Sequence, residues 1–171
     1  MSAPLLEVTG LKTWLYTTRG IVHAVDGVDL RVAPGEKVAL VGESGCGKSM
    51  TARSILRLLP EPPARIVAGS IVCDGEDLVR LPEAALEHIR GARVSMVFQD
   101  PLGYLNPRMR IGEQIGEAIR LHQGRTDLPA RVADALDRVG LPSDPAFRRR
   151  YPHELSGGMR QRVLIAMALA C

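Results

Sequence analysis

The pattern of hydrophobic and polar residues predicts strands in the first third of the chain. Residues 5–32 read as strands joined by turns, and between 28 and 32 apolar side chains alternate with aspartate and arginine. This two-residue period indicates a half-buried strand. Two continuous apolar runs, 38–41 and 94–98, are typical of strands covered on both faces of a parallel sheet. A hairpin is predicted over 66–78, turning at Asp74-Gly75.

Helices are predicted where apolar residues recur every three or four positions. The first follows a glycine-rich loop and carries the stripe Ala52, Ile55, Leu56 and Leu59 before prolines 60, 62 and 63 end it. A short helix is expected over 82–90. Beyond residue 101 the pattern is helical only, with two stripes: Ile111, Ile115 and Ile119, then Leu128, Val132, Leu136 and Val139.

This change of character predicts three parts. They are an α/β core over 1–100, a helical subdomain over 101–155, and a final helix over 156–171. The last helix has no glycine, basic last turn or proline near its end, as a helix normally does. We therefore expect the chain to be truncated inside this helix.

Composition narrows the class of protein. The 171 residues are 46% hydrophobic and 24% charged, which is ordinary for a globular domain, and no apolar stretch is long enough for a transmembrane helix. The cysteines at 46, 73 and 171 lack the spacing of a metal site or a disulfide framework. Arginines cluster late in a chain of net charge +3, but no aromatic residues are interleaved to stack bases. We expect no nucleic-acid partner.

The glycine-rich loop matches G-x-x-x-x-G-K-[ST] in full and lies between a predicted strand and a predicted helix. Its glycines permit backbone angles that turn successive N–H groups toward phosphate oxygens, and the helix start adds partial positive charge. Lys48 is suited to the β- and γ-phosphates and Ser49 to Mg²⁺. The predicted phosphate-binding residues are Gly42, Glu43, Ser44, Gly45, Cys46, Gly47, Lys48, Ser49 and Met50.

A second anion site is predicted where Ser156 caps a helix that begins with two glycines. Open glycine amides and the helix dipole both favour a phosphate there. This segment resembles the signature motif of ABC ATPases, and residues 94–104, with Gln99 after a predicted strand, resemble the Q-loop of that family. The signature residues are Leu155, Ser156, Gly157, Gly158, Met159 and Gln161.

The resemblance to ABC ATPases implies a fold and a site. The fold is α/β, a P-loop NTPase core with a parallel sheet, N-terminal antiparallel strands and an inserted helical subdomain, with the C-terminal part of the core missing. The implied ligands are ATP and Mg²⁺, with Ser49 and Gln99 toward the metal. Gln99 also senses the attacking water, and the signature closes over the ATP of a second ATPase subunit. An aromatic ring upstream of the loop stacks on adenine, for which Tyr16 and Trp14 are the candidates.

Further segments, 24–28, 98–101 with 105–107, and 151–162, resemble the oligopeptide, dipeptide and nickel importer branch. The branch implies a paralogous partner ATPase, transmembrane permease subunits, an indirect link to a solute-binding protein, and a place on the cytoplasmic face of the membrane. The family's acidic pair for Mg²⁺ and water is absent from these 171 residues. We therefore expect this length of chain by itself to be incompetent in hydrolysis.

Two alternatives remain open at this point. One is a soluble ABC ATPase of nucleic-acid metabolism, although the compact segment between the two anion motifs carries no heptad run. The other is a non-catalytic, truncated subunit. The transported solute cannot be predicted, because the ATPase does not contact it.

Overall fold

A computed structural model describes residues 3–101, 103–124 and 126–171. Within it the chain divides into two compact units, Met1–Leu86 and Glu87–Cys171. The first unit contains the strands and the glycine-rich loop, whereas the second contains the long helices, the Q-loop segment and the signature. The functional domain assignment at 1–100, 101–155 and 156–171 stays a prediction.

The first unit is built on a four-stranded antiparallel sheet in the order β2-β1-β3-β4. The strands are β1 (Leu6–Thr17), β2 (Gly20–Val32), β3 (Ala64–Cys73) and β4 (Glu76–Asp77). Along the end of β2, Val28, Leu30 and Val32 are half-buried and the residues between them are exposed. The predicted alternation is therefore confirmed.

The predicted hairpin turn is also present, between β3 and β4. Asp74 and Gly75 both have positive φ, at 50° and 85°. Two consecutive residues of this kind form the two-residue turn whose twist matches antiparallel strands.

The close approach of β3 to β1 depends on Gly69, because a Cβ at that position would lie 2.6 Å from the Cα of Leu11.

Helix α1 (Lys48–Ile55) is attached to the sheet by polar contacts rather than by the predicted apolar stripe. Thr51 and Ser54 are its buried residues, and the hydroxyls of Ser54 and Thr13 lie 2.8 Å apart with both side chains fully buried. Of the predicted stripe, only Leu56 is buried, just after the helix ends. A buried hydroxyl pair satisfies both partners, so a polar helix face can pack on a strand.

The predicted strands at 38–41 and 94–98 are not formed, which corrects the sequence interpretation. Val41 is 87% exposed, and Val94 makes an isolated parallel bridge with Arg90 in the described part of the chain. A strand is stabilised by the ladder of its neighbour. Neither segment has a strand neighbour among residues 3–101, 103–124 and 126–171.

The second unit packs helices around one apolar core. The helices beyond the short α2 (Glu83–Ile89) are α3 (Ile111–Gln123), α4 (Leu128–Arg138), α5 (Pro145–Arg148) and α6 (Gly157–Leu169), with a 3₁₀ turn at Pro152–Glu154. Ile111, Ile115 and Ile119 are fully buried, as the stripe predicts. Val132 and Leu136 of the second stripe join the same core.

None of the helices in the described residues is both long and apolar enough to cross a membrane.

Candidate functional site

The glycine-rich loop depends on backbone angles that only glycine adopts easily. Gly45 and Gly47 have φ of +85° and +96°, in the left-handed region. Gly47 also lies against β2, because a Cβ there would approach the carbonyl oxygen of Ala24 to 2.5 Å. The loop can therefore take this shape only with glycine at the position just before α1.

Lys48 holds the loop closed from inside. Its ammonium donates to the carbonyl oxygens of Gly42 at 2.7 Å and Glu43 at 2.6 Å, and to the sulfur of Cys46 at 3.3 Å. The amide of Cys46 also donates to the carbonyl oxygen of Glu43. The structure thus brings together Gly42, Glu43, Cys46 and Lys48, four of the residues for which phosphate binding is predicted.

The start of α1 presents donors suited to an anion. Its N-cap is Gly47, which has no side chain to accept a hydrogen bond from the amides of the first turn. A helix start leaves its first N–H groups without partners in the helix, and these carry the positive end of the dipole. The open amides, the left-handed glycines and the adjacent ammonium together fit a nucleotide phosphate chain.

Metal donors at the loop are few. Ser49 is exposed at the first turn of α1, and Met50 next to it offers only its amide to a phosphate. No group of three or more histidine, cysteine, aspartate or glutamate side chains in the described residues is arranged to hold a metal. A hydroxyl oxygen is a suitable Mg²⁺ ligand, and Mg²⁺ is commonly bound by few protein groups together with phosphates. The donor set fits Mg²⁺ that arrives with a nucleotide.

Cys46 is the chemically distinct cysteine of this chain. It is exposed, and the hydrogen bond from Lys48 lowers the pKa of its thiol below the usual range. Cys73 is buried, and burial raises the pKa of Cys171. Since the thiolate is the nucleophile, we expect Cys46 to be the most reactive of the three toward alkylating reagents.

Gln99 is exposed and lies in the second unit, next to a pair of stacked aromatic rings. These are the rings of Phe98 and Tyr104, with centroids 3.9 Å apart and planes 5° from parallel. Leu105 then enters the helical core and is 3% exposed. Leu102 of the predicted Q-loop lies outside the described residues.

The signature forms the start of α6, as predicted. Ser156 is its N-cap, and the serine Oγ accepts from the amide of Met159 at 3.4 Å. Leu155 is buried beneath the turn, while Ser156, Gly157 and Gly158 are exposed. A Cβ at either glycine would meet no atom within 4 Å. The surface over this helix start is therefore open in the second unit.

Two arginines of the signature segment donate hydrogen bonds to backbone carbonyls. Arg160 donates from Nε to the carbonyl oxygen of Pro152 at 2.7 Å, and Arg162 donates to that of Gly140 at 2.8 Å. Gln161 is half-buried on α6, and His153 is exposed and stacks on Tyr151. Much of the late basic cluster is thus used for structural hydrogen bonds.

The two aromatic candidates for adenine differ in their surroundings. The Trp14 ring already stacks on His23, with centroids 4.4 Å apart, and its Nε1 is buried without a hydrogen-bond partner. Tyr16 is 45% exposed at the end of β1. An accessible ring favours Tyr16 for stacking on a base, and the assignment remains a proposal.

Sequence reasoning missed three residues that position the candidate site. They are Thr13 and Ser54, which attach α1 to the sheet, and Gln114, which is 4% exposed and hydrogen-bonds the backbone of Asn106 after the Gln99 loop. Thr13 and Gln114 are polar residues among buried apolar neighbours of β1 and α3, whereas Ser54 lies on the polar buried face of α1. A polar residue interrupting a predicted apolar stripe is the signal that points to such contacts.

The comparisons with known proteins agree with this geometry. The family model described as ABC transporter matches residues 25–171. The chain is 47% identical over 170 residues to the dipeptide transport ATP-binding protein DppD of Bacillus subtilis, covering 98% of this chain and 50% of that protein. It is 44% identical over 168 residues to the oligopeptide transport ATP-binding protein OppD of the same organism, covering 97% and 47%. The chain therefore spans about half the length of the curated relatives it matches.

A solved structure extends the likeness to the fold. The dimeric, post-hydrolysis state of the ATP-binding cassette MJ0796, bound to ADP and Pi, superposes with a TM-score of 0.83 at 27% identity, over 96% of this chain and 69% of that one. This similarity confirms the predicted fold class, a nucleotide-binding α/β cassette with antiparallel N-terminal strands. With the glycine-rich loop, the capped signature helix and a family match over residues 25–171, the chain belongs to the ABC transporter ATP-binding family.

Proposed function

We propose that this chain is the nucleotide-binding part of an ATP-driven importer subunit that takes up peptides or a related small solute. The observation that carries the proposal is the loop in which Lys48, two left-handed glycines and the uncapped start of α1 converge. The relatives named for peptide transport support the solute class. The proposed place is the cytoplasmic face of the membrane, bound to permease subunits.

The chain's own residues suggest how the nucleotide is held. On binding, the Lys48 ammonium exchanges two backbone carbonyls for phosphate oxygens, which are stronger acceptors because they carry charge. The amides at the start of α1 add donors along the helix axis. Ser49 and Gln99 are the proposed protein contacts for Mg²⁺, which would neutralise phosphate charge when it is bound together with the nucleotide. Tyr16 is the proposed adenine contact.

The signature helix start is the proposed contact for a second nucleotide. Ser156 and the exposed amides of Gly157 and Gly158 form an anion site of the same physical type as the loop. We propose that it closes over ATP held by a second ATPase subunit, a paralogue in this branch. ATP binding would then draw the two subunits together, and hydrolysis would release them.

A groove on the second unit is the proposed surface for the membrane partner. It encloses about 530 Å³ along α3, α4 and α5, with Met109, Leu128 and Val132 among its apolar lining residues. Arg110, Arg120, Arg148 and Arg149 surround it, against one acid, Glu113. Apolar lining with a basic rim fits an acidic, amphipathic helical segment of a permease.

Charge reversal in this groove should weaken binding to the membrane partner. Arg149 is exposed on the rim, so Arg149→Glu places a negative charge where an acidic segment would approach, and we expect about tenfold weaker association. Lys37→Glu, an exposed residue of the first unit with the same change of charge, is the matched control. The measurement is co-purification of the complete protein with its permease at two salt concentrations. Equal losses for both variants would contradict the proposed surface.

The function itself is tested by ATP-dependent uptake of peptides into vesicles that contain the complete protein and its permease. Uptake that requires ATP supports an importer. Turnover stimulated by DNA or RNA and independent of a permease would support the alternative, a soluble ATPase of nucleic-acid metabolism.

A further inference from the structure

The loop that carries Gln99 is closed at its base by two aromatic rings. Phe98 directly precedes Gln99, and its ring lies 3.9 Å from that of Tyr104, nearly parallel. Gln99 itself is exposed. The contact holds Phe98, so it restricts the directions that the backbone can take at Gln99, the next residue.

The far end of this loop is fixed to the helical core. Leu105 is 3% exposed, and its amide donates to the carbonyl oxygen of Pro101 at 3.2 Å. The next residue, Asn106, exchanges two backbone hydrogen bonds with the buried side chain of Gln114, at 2.9 and 3.0 Å. Tyr104 therefore directly precedes residues that are fixed in the helical core. Its ring packs on Phe98 and so limits the movement of that residue.

Tyr104 has no evident role in stabilising the core. Its side chain is 45% exposed, and its stacking partner Phe98 is only half-buried. A residue that contributed mainly through burial would be covered. The contact instead fixes the residue immediately before Gln99.

We propose that Tyr104 is a positioning residue for Gln99. The inference rests on the proposed function, in which the Gln99 side-chain oxygen meets Mg²⁺ or the attacking water. Such an oxygen must be held within a fraction of an ångström to act, and supporting contacts provide that precision. Tyr104 supplies the support through its contact with Phe98.

The test compares Tyr104→Ser with Tyr104→Phe in the complete protein assembled with its partners. Serine removes the ring, so we expect kcat for ATP hydrolysis to fall about tenfold, while KM for ATP stays within about twofold. Phenylalanine keeps the ring and should restore kcat. Thermal melting of both variants should lie close to that of the wild type, because the Tyr104 side chain is 45% exposed.

A second experiment tests whether the fall in kcat caused by Tyr104→Ser depends on Gln99. In a Gln99→Ala background, Tyr104→Ser should lower kcat no further, since the group it positions is gone. An equal loss in both backgrounds, or wild-type kcat in Tyr104→Ser, would overturn this inference while Lys48-dependent hydrolysis upheld the proposed function. A wild-type protein without Lys48-dependent hydrolysis would overturn both.

Discussion

Replacing Lys48 with alanine is expected to reduce ATP turnover by the complete protein by at least about a hundredfold. The substitution removes the ammonium that contacts the loop carbonyls of Gly42 and Glu43, and with it the proposed partner of the β- and γ-phosphates. It also loosens the loop before any ligand arrives, because three hydrogen bonds disappear together. Affinity for ATP should therefore fall as well as turnover.

The control for this variant is Lys37→Ala, which removes an equal charge from an exposed position nearby in sequence. ATP binding is measured by calorimetry and hydrolysis by phosphate release, with thermal melting to exclude unfolding. Lys37→Ala should behave as the wild type. Equal activity of Lys48→Ala and Lys37→Ala would mean that the loop does not bind phosphate.

Replacing Gly158 with aspartate should abolish turnover without harming the fold. A side chain at this position meets no atom within 4 Å, and an acid in the first turn of α6 is favoured by the helix dipole by about 0.3–1 kcal/mol. The same carboxylate repels the phosphate that we propose binds there. We expect unchanged or slightly raised thermal stability and at least about a hundredfold loss of ATP hydrolysis.

Gly158→Ala separates charge from size in this experiment. Alanine also meets open space, and it should keep most of the hydrolysis while modestly stabilising the helix. Hydrolysis and melting temperature of both variants are measured side by side. If Gly158→Asp hydrolyses ATP like Gly158→Ala, then no anion approaches this helix start.

The sequence predicted well those elements that depend on local pattern. The stripe at Ile111, Ile115 and Ile119 is buried in full, and the signature serine caps α6. The Asp74-Gly75 turn followed from residues that tolerate positive φ. In each case the decisive contacts are close in sequence, or lie on one regular face.

Elements whose form depends on distant partners were predicted less well. Residues 38–41 have the composition of a buried strand, but a strand forms only where another supplies a ladder, and the described residues supply none. The polar face of α1 packs on β1 because Thr13 lies opposite Ser54, a pairing no local pattern reveals. The Phe98–Tyr104 stack likewise joins two rings that no local pattern pairs.

The central claim, that nucleotide phosphates bind where Lys48 and the loop amides converge, is tested most directly by alkylation of Cys46. Lys48 lowers the pKa of this exposed thiol, so iodoacetamide should modify Cys46 faster than Cys73 or Cys171 at neutral pH. ATP in the site would cover the sulfur and draw the ammonium away, so the rate at Cys46 should fall by about tenfold on adding ATP and should not change with adenosine. Peptide mass mapping measures each cysteine separately. Equal alkylation of Cys46 with and without saturating ATP would contradict the account.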